Sequence, residues 1–194
     1  MTNIVQYPLQ IERDSRESIT EHQAKRLASL VSSLPDRNMF YTRKLAQAAI
    51  DINTLVFPDD LHNLPFTTKA ELIADQITSP PWGTVLSEPL ENYTRYNQTS
   101  STTGTPLRWI DTAKSWQWML DCWKAIYRAA GVTHVDRIFF PFSFGPFLGF
   151  WTGFEAATQL GAHVIPTGGI SSQSRLALID TLQPTIICCT PTYA

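Results

Sequence analysis

The stretch RIFFPFSFGPFLGFWTGFEAATQLGAHVI, residues 137–165, decides the fold. It predicts a strand at Arg137–Phe142, a turn at Ser143–Pro146, a helix from about Phe147 to Leu160, and a second strand at His163–Ile165. The first strand is continuously apolar, as strands are when both faces of a parallel sheet are covered. A strand, a helix and a strand in this order indicate a βαβ unit with parallel strands.

The same alternation continues on both sides of this stretch. After it, we expect a helix from about Ser172 to Leu182 and an apolar strand at Thr185–Cys189, also covered on both faces. Before it, apolar residues recur at i, i+3, i+4 and i+7 from Trp116 to Ala130, and Gly131 ends this helix. The pattern therefore predicts an α/β fold with a parallel βαβαβ sheet.

The first part of the chain has the pattern of helices joined by proline-containing loops. Thr20 and Gln23 form a candidate capping box, which predicts that a helix begins at Thr20. A second helix is expected from about Met39 to Ile50. A third is expected after Thr68 and Glu71, which have the same capping spacing. We expect this part to be a helical segment.

A hairpin is predicted where the helical segment ends. The residues at Tyr93–Asn97 alternate between aromatic and polar, and Leu107–Ile110 is a second short strand candidate. The nine residues 98–106, QTSSTTGTP, would form its tip. We expect the chain to divide into a helical segment, 1–92, and a hairpin with a partial α/β subdomain, 93–194.

The tip of this hairpin has the composition of an anion-binding loop. Every residue from Thr99 to Gly104 is hydroxylic or glycine, so the run cannot form an apolar core. Backbone N–H groups and hydroxyls together can wrap a phosphate. A flexible Ser/Thr loop is the alternative, and composition alone does not choose between them. No Gly-Lys-Ser/Thr sequence is present, which excludes the P-loop of nucleotide kinases.

The overall composition and net charge of the chain limit the classes of function that it can have. The 194 residues are 43% hydrophobic and 16% charged, with a formal net charge of -2, so nothing favours nucleic acid or an anionic membrane as a partner. Cys122, Cys188 and Cys189 fit neither a disulfide framework nor a metal site, which predicts a reducing, cytoplasmic location. The uncharged stretch Ile138–Phe154 is long enough to suggest a spanning helix, but its prolines and glycines argue against one.

Five segments, in order, resemble the phenylacetate–coenzyme A ligase family of adenylate-forming enzymes. Leu64–Leu72 (LPFTTKAEL) resembles the family's LPFTTK-x-[DE]-L, and Ser100–Pro106 (SSTTGTP) resembles its phosphate loop SSGTTGKP. Phe144–Phe147 falls at its YGLF, Leu160–Pro166 is similar to LGATVIP, and Thr190–Ala194 is similar to TPSYA. Each match is weak, but five in register identify the chain with this family.

The resemblance implies the front part of the large N-terminal domain of an adenylate-forming enzyme. In this family a small-molecule carboxylic acid, aromatic or aliphatic, attacks ATP with Mg²⁺ to give an acyl-adenylate, and coenzyme A then forms the thioester. By resemblance, the ATP phosphates would be bound by Ser100, Ser101, Thr102, Thr103, Gly104 and Thr105. The acyl group would be bound by Phe144, Gly145, Pro146 and Phe147, for which core packing is the alternative. No catalytic side chain or metal ligand is assigned.

Two positions of the loop depart from the family's pattern. Ser101 stands where the family has a glycine, and Thr105 stands where it has a lysine. We also expect that segments which complete the family's nucleotide and coenzyme A sites are absent, so that this chain is an incomplete enzyme. The alternatives are a non-catalytic binding or oligomerisation module, paired with itself or with a chain that supplies the missing part, and an unrelated α/β domain.

Overall fold

The computed structural model describes residues 13–35, 37–100 and 104–191. The described residues form an α/β structure in two compact units. One unit takes its described residues from 13–93 and 104–109, and the other from 94–100 and 110–191. The division predicted between residues 92 and 93 stays a prediction.

The first unit is helical, as predicted. It contains α1 (Arg16–Ser32), α2 (Met39–Gln47) and α3 (Lys69–Thr78). Short 3₁₀ turns lie at Ile52–Thr54, Asp59–Asn63 and Leu90–Asn92.

The predicted start of α1 at Thr20 is wrong, because the helix begins one turn earlier. Ser15 is its N-cap, and the Ser15 hydroxyl accepts a hydrogen bond from the Ser18 N–H. The Thr20 hydroxyl instead donates to the Arg16 carbonyl, inside the helix. Threonine in a helix interior commonly bonds back to the preceding turn in this way.

The capping box predicted for α3 is confirmed. The Thr68 hydroxyl accepts from the Glu71 N–H at 3.3 Å, and the Glu71 carboxylate accepts from the Thr68 N–H at 2.7 Å. Lys44 also donates to this carboxylate and, as the largest cause, lowers the pKa of Glu71 to about 2. The start of α3 is therefore fixed by its own capping box and by the bond from Lys44 of α2.

Replacing Thr68 with alanine is expected to lower the free energy of unfolding by about 1 kcal/mol, since the N-cap acceptor is lost. Urea denaturation measures this. The control is Thr78→Ala at the other end of α3, where the hydroxyl only donates to the Ala74 carbonyl. That substitution should cost less than about 0.5 kcal/mol. Equal losses in the two variants would show that the cap does not stabilise α3.

The predicted hairpin contributes residues to both units, and the predicted parallel sheet lies in the second unit. Strands β1 (Tyr93–Gln98) and β2 (Arg108–Thr112) pair as a two-stranded sheet. The following elements are α4 (Ala113–Ala129), β3 (Arg137–Phe140), α5 (Leu148–Gln159), β4 (His163–Pro166), α6 (Ser172–Leu182) and β5 (Ile186–Ile187). The elements alternate as the sequence predicts.

The three-stranded sheet has the order β4-β3-β5, with all strands parallel. β3 lies in the centre, where Ile138, Phe139 and Phe140 are at most 1% exposed. Ile138 and Phe140 pack in one core cluster with residues of α4 and α5, including Leu120 and Ala156. The central strand is covered on both faces, as predicted.

The same expectation is wrong for β5. Only Ile186 and Ile187 pair with β3, and Ile187 is 54% exposed. Cys188 packs against the core, whereas Cys189 lines a groove of about 580 Å³ on the α6 face of the sheet. β5 is an edge strand of the described sheet. One of its faces is therefore more exposed to solvent than its apolar sequence predicts.

None of the described helices combines the length and apolar character that crossing a bilayer requires. The uncharged stretch that begins at Ile138 is divided between β3, a turn and α5.

Candidate functional site

The loops that follow β3 and β4 meet at the carboxyl edge of the parallel sheet. The Thr167 N–H and hydroxyl both donate to the Phe140 carbonyl, at 3.1 and 3.0 Å. A Cβ added to Gly168 would lie 2.8 Å from the Phe142 carbonyl oxygen, so only glycine lets the two backbones approach this closely. In open α/β sheets this edge is where ligands bind.

The turn after β3 is held at two consecutive carbonyl groups. The indole N–H of Trp151, on α5, donates to the Gly145 carbonyl at 2.7 Å. The Gln98 N–H, at the end of β1, donates to the Pro146 carbonyl at 2.8 Å. Gly145 has φ +51, a left-handed conformation that favours glycine. The turn is therefore fixed on one side by α5 and on the other by the hairpin.

The Gln98–Pro146 bond connects the end of β1 to the turn that follows β3. Gln98 directly precedes the hydroxylic run, in which Ser100 is exposed. Gly104 and Thr105 are also exposed, and a Cβ added to Gly104, whose φ is +148, would have no non-neighbouring atom within 4 Å. Ser101, Thr102 and Thr103 lie outside the described residues. Ser100, Gly104 and Thr105 are therefore exposed at the surface where a ligand could reach them.

Phe144 and Phe147 lie in different surroundings within the turn. The Phe144 ring packs against Phe140, Phe154 and Trp151, with ring centres 4.7–6.4 Å apart. It therefore contributes to the aromatic core. Phe147 is half-buried and contacts Phe150 edge to face at 5.9 Å. Their part in binding an acyl group stays a prediction.

Among the described residues, candidate metal ligands are not clustered, and the Cys188 thiol that follows β5 is poorly suited to act as a nucleophile. Among them, no group of three or more histidine, cysteine or carboxylate side chains could hold a metal ion. Burial raises the pKa of Cys188, so its thiol is protonated at neutral pH and is a poor nucleophile. The site can bind and orient ligands through backbone amides, hydroxyls and aromatic rings.

Comparison with known proteins identifies the relatives of this chain. A phenylacetate-coenzyme A ligase of Thermus thermophilus is 30% identical over 188 residues, which are 97% of this chain and 41% of the relative. The Escherichia coli phenylacetate-coenzyme A ligase is 30% identical over 94% of this chain and 41% of its own length. The chain is homologous to the amino-terminal portion of the phenylacetate–coenzyme A ligases. No family model matches it.

Solved structures give the same fold. A crystal structure of 2-hydroxyisobutyryl-CoA ligase, in complex with 2-HIB-AMP and CoA, superposes with a TM-score of 0.89 at 21% identity. The superposition covers 100% of this chain and 43% of that ligase. This confirms the predicted α/β fold, which is that of the matched part of the ligase. The chain spans about two-fifths of the length of the phenylacetate–coenzyme A ligases it matches.

Sequence pattern alone did not assign a role to Gln98 or Trp151. Gln98 uses its backbone N–H for the bond to Pro146, so its side-chain type carries no signal of this contact. Trp151 lies six residues after Gly145, and an indole N–H in an apolar helix usually needs an acceptor. The need of the indole N–H for an acceptor could have indicated a bond to a backbone carbonyl in the preceding turn.

Proposed function

We propose that this chain is the part of an AMP-forming acid–coenzyme A ligase that holds the phosphates of ATP and the acid to be activated. The observation that carries the proposal is the Gln98–Pro146 hydrogen bond. It bonds the residue that precedes Thr99 and the hydroxylic loop to the aromatic turn that follows β3, which supports a site near the carboxyl edge of the parallel sheet. The homology to phenylacetate–coenzyme A ligases supports the same reaction class.

The hydroxylic loop would bind the β- and γ-phosphates of ATP. The proposed donors are the hydroxyls and backbone N–H groups of Ser100, Ser101, Thr102, Thr103, Gly104 and Thr105. Hydrogen bonds to a charged group contribute about 1.5–3 kcal/mol each. Donors fixed in advance would stabilise the charge that develops on the leaving pyrophosphate as the carboxylate attacks the α-phosphate. The loop's role is therefore electrostatic.

The turn at Phe144–Phe147 would receive the acyl part of the acid. Half-buried aromatic rings suit a planar apolar group such as a phenylacetate side chain. Because Trp151 and Gln98 fix this turn at Gly145 and Pro146, the acid would meet a preformed surface. Preorganisation of this kind lowers the entropic cost of binding.

Mg²⁺ and coenzyme A belong to the proposed reaction as partners of ATP and of the adenylate. Because Mg²⁺ keeps several waters and usually binds through substrate phosphates, it would arrive bound to the ATP phosphates. The proposed contribution of this chain is to hold the phosphate oxygens, not the metal. The thioester step would need residues beyond the two-fifths of the relatives that this chain spans.

Titration calorimetry with ATP and Mg²⁺ tests the proposal. We expect measurable binding, and about tenfold weaker binding for Ser100→Ala, which removes one exposed donor to a charged group. Thr94→Val is the control, since Thr94 is exposed on β1 but lies outside the loop. No heat of binding at millimolar ATP would reject the proposal and favour the binding-module alternative.

A further inference from the structure

Glu155 is the single charged residue of α5, whose sequence LGFWTGFEAATQ is otherwise apolar, glycine or uncharged polar. α5 directly follows the turn that we propose as the acyl site, and its residues Ala156 and Ala157 are fully buried. A carboxylate next to this core is costly unless it is hydrogen-bonded. The partners of Glu155 therefore indicate why a charge is present here.

One oxygen of Glu155 joins three elements of the second unit. Its Oε2 accepts a hydrogen bond from Arg95 Nη2 of β1 at 3.0 Å. The same Oε2 accepts from the indole Nε1 of Trp116, on α4, at 2.8 Å. The Arg95 guanidinium carbon also lies 5.0 Å from the centre of the Trp116 ring. Arg95, Trp116 and Glu155 form a closed set of contacts, which we call the Glu155 triad.

The Glu155 triad is partly shielded from water. The side chain of Glu155 is 25% exposed and that of Arg95 is 46% exposed, whereas Trp116 is buried. An ion pair alone at this exposure would stabilise the fold little. Because the same oxygen also accepts from the indole N–H of the buried Trp116, the carboxylate is held more firmly than by the ion pair alone.

The Glu155 triad holds β1 close to its end. Arg95 lies three residues before Gln98, whose N–H is bonded to the Pro146 carbonyl. β1 is therefore attached twice to the segment formed by the turn and α5: at Arg95 through Glu155, and at Gln98 through Pro146. The hydroxylic loop begins at the next residue, so its starting point depends on both attachments.

We propose that Glu155 is a positioning residue: it fixes the end of β1 and thereby sets where the phosphate-binding loop begins. The inference rests on the proposed function for the role of the loop, but the attachment of β1 is testable without ATP. The proposed action of Glu155 runs through its bonds to Arg95 and Trp116.

Hydrogen exchange of backbone amides, resolved by residue, tests the attachment in the full chain. Glu155→Ala is expected to accelerate exchange at the Gln98 amide by about tenfold, because local opening of β1 becomes easier. Glu155→Gln keeps an oxygen for the Trp116 indole but loses the charge opposite Arg95. Arg95→Met keeps the stem over Trp116 but also removes the ion pair. Both variants are expected to accelerate exchange at the Gln98 amide. The double variant should accelerate it no more than either single variant does.

Gln159→Ala is the matched control, because Gln159 lies one turn after Glu155 on α5. Its amide bonds Gln117 and Lys124 of α4, so it links the same two helices without contacting β1. Exchange at Gln98 should be unchanged in this variant. If Gln159→Ala accelerates Gln98 exchange as much as Glu155→Ala does, or if neither does, the proposal is overturned, since Glu155 would then act only on general stability.

ATP affinity separates this inference from the proposed function. If both hold, Glu155→Ala weakens ATP binding by about tenfold while Gln159→Ala leaves it unchanged. If the unaltered chain binds no ATP, the proposed function fails, and the exchange result alone decides whether Glu155 fixes the end of β1. If ATP binds equally well to both variants, the loop does not depend on Glu155 and the positioning role is rejected.

Discussion

Replacing Phe140 with alanine is expected to lower the free energy of unfolding by about 3–5 kcal/mol. Phe140 is fully buried in the central strand β3. Its ring contacts Phe142, Phe144 and Phe154, with ring centres 5.4–6.4 Å apart. Truncation removes the apolar contacts of the ring and leaves a cavity that its neighbours, held by the sheet and α5, fill only in part. Urea denaturation followed by tryptophan fluorescence measures the loss.

Phe66→Ala is the control for this substitution. Phe66 is 93% exposed, so the same chemical change there should cost less than about 0.5 kcal/mol. A loss below about 1 kcal/mol for Phe140→Ala would contradict the position of β3 at the centre of the core. The position of the turn would then need revision as well, since Phe144 packs on the same ring.

Replacing Thr105 with lysine is expected to strengthen ATP binding by about ten- to a hundredfold. Thr105 is exposed, follows Gly104, and stands where the resembled family has a lysine. A charged hydrogen bond to a phosphate contributes about 1.5–3 kcal/mol, and each 1.4 kcal/mol changes the dissociation constant about tenfold. The dissociation constant for ATP with Mg²⁺, measured by calorimetry, gives the result directly.

Two further variants show whether the gain belongs to the loop. Thr94→Lys adds the same charge at an exposed position on β1, and Thr105→Met adds length at residue 105 without charge. Neither should change ATP affinity by more than about twofold. Because the effect is electrostatic, the gain from Thr105→Lys should shrink as salt rises. An equal gain from Thr94→Lys would show only a general attraction of ATP to a more basic protein.

The fold was predictable wherever the signal was local. Thr68 and Glu71 are three residues apart, and their capping box fixes the start of α3 in sequence as in structure. The start of α1 was mispredicted, since Ser15 and Thr20 are both good caps and the pattern does not rank them. β5 was mispredicted for another reason: an apolar run looks the same whether it is covered on both faces or lies at a sheet edge.

The attachments within the candidate site were not predictable from pattern. Arg95 and Glu155 are 60 residues apart, and their pairing depends on how β1, α4 and α5 pack. The available signal was the single charge of Glu155 in an otherwise uncharged helix. Such a charge indicates that a partner exists, but it does not identify the partner. The roles of Ser101, Thr102 and Thr103 also stay predictions, because these residues lie outside the described structure.

The bond from the Gln98 N–H to the Pro146 carbonyl has a thermodynamic consequence. If the proposed function holds, a nucleotide that shifts the end of β1 would also shift the turn beside Phe147, and an acid that shifts the turn would also shift β1. Linkage requires that any change ATP makes in acid affinity be matched by an equal change that the acid makes in ATP affinity. Under the proposed function, this single backbone contact would couple the binding of ATP to the binding of the acid before any reaction begins.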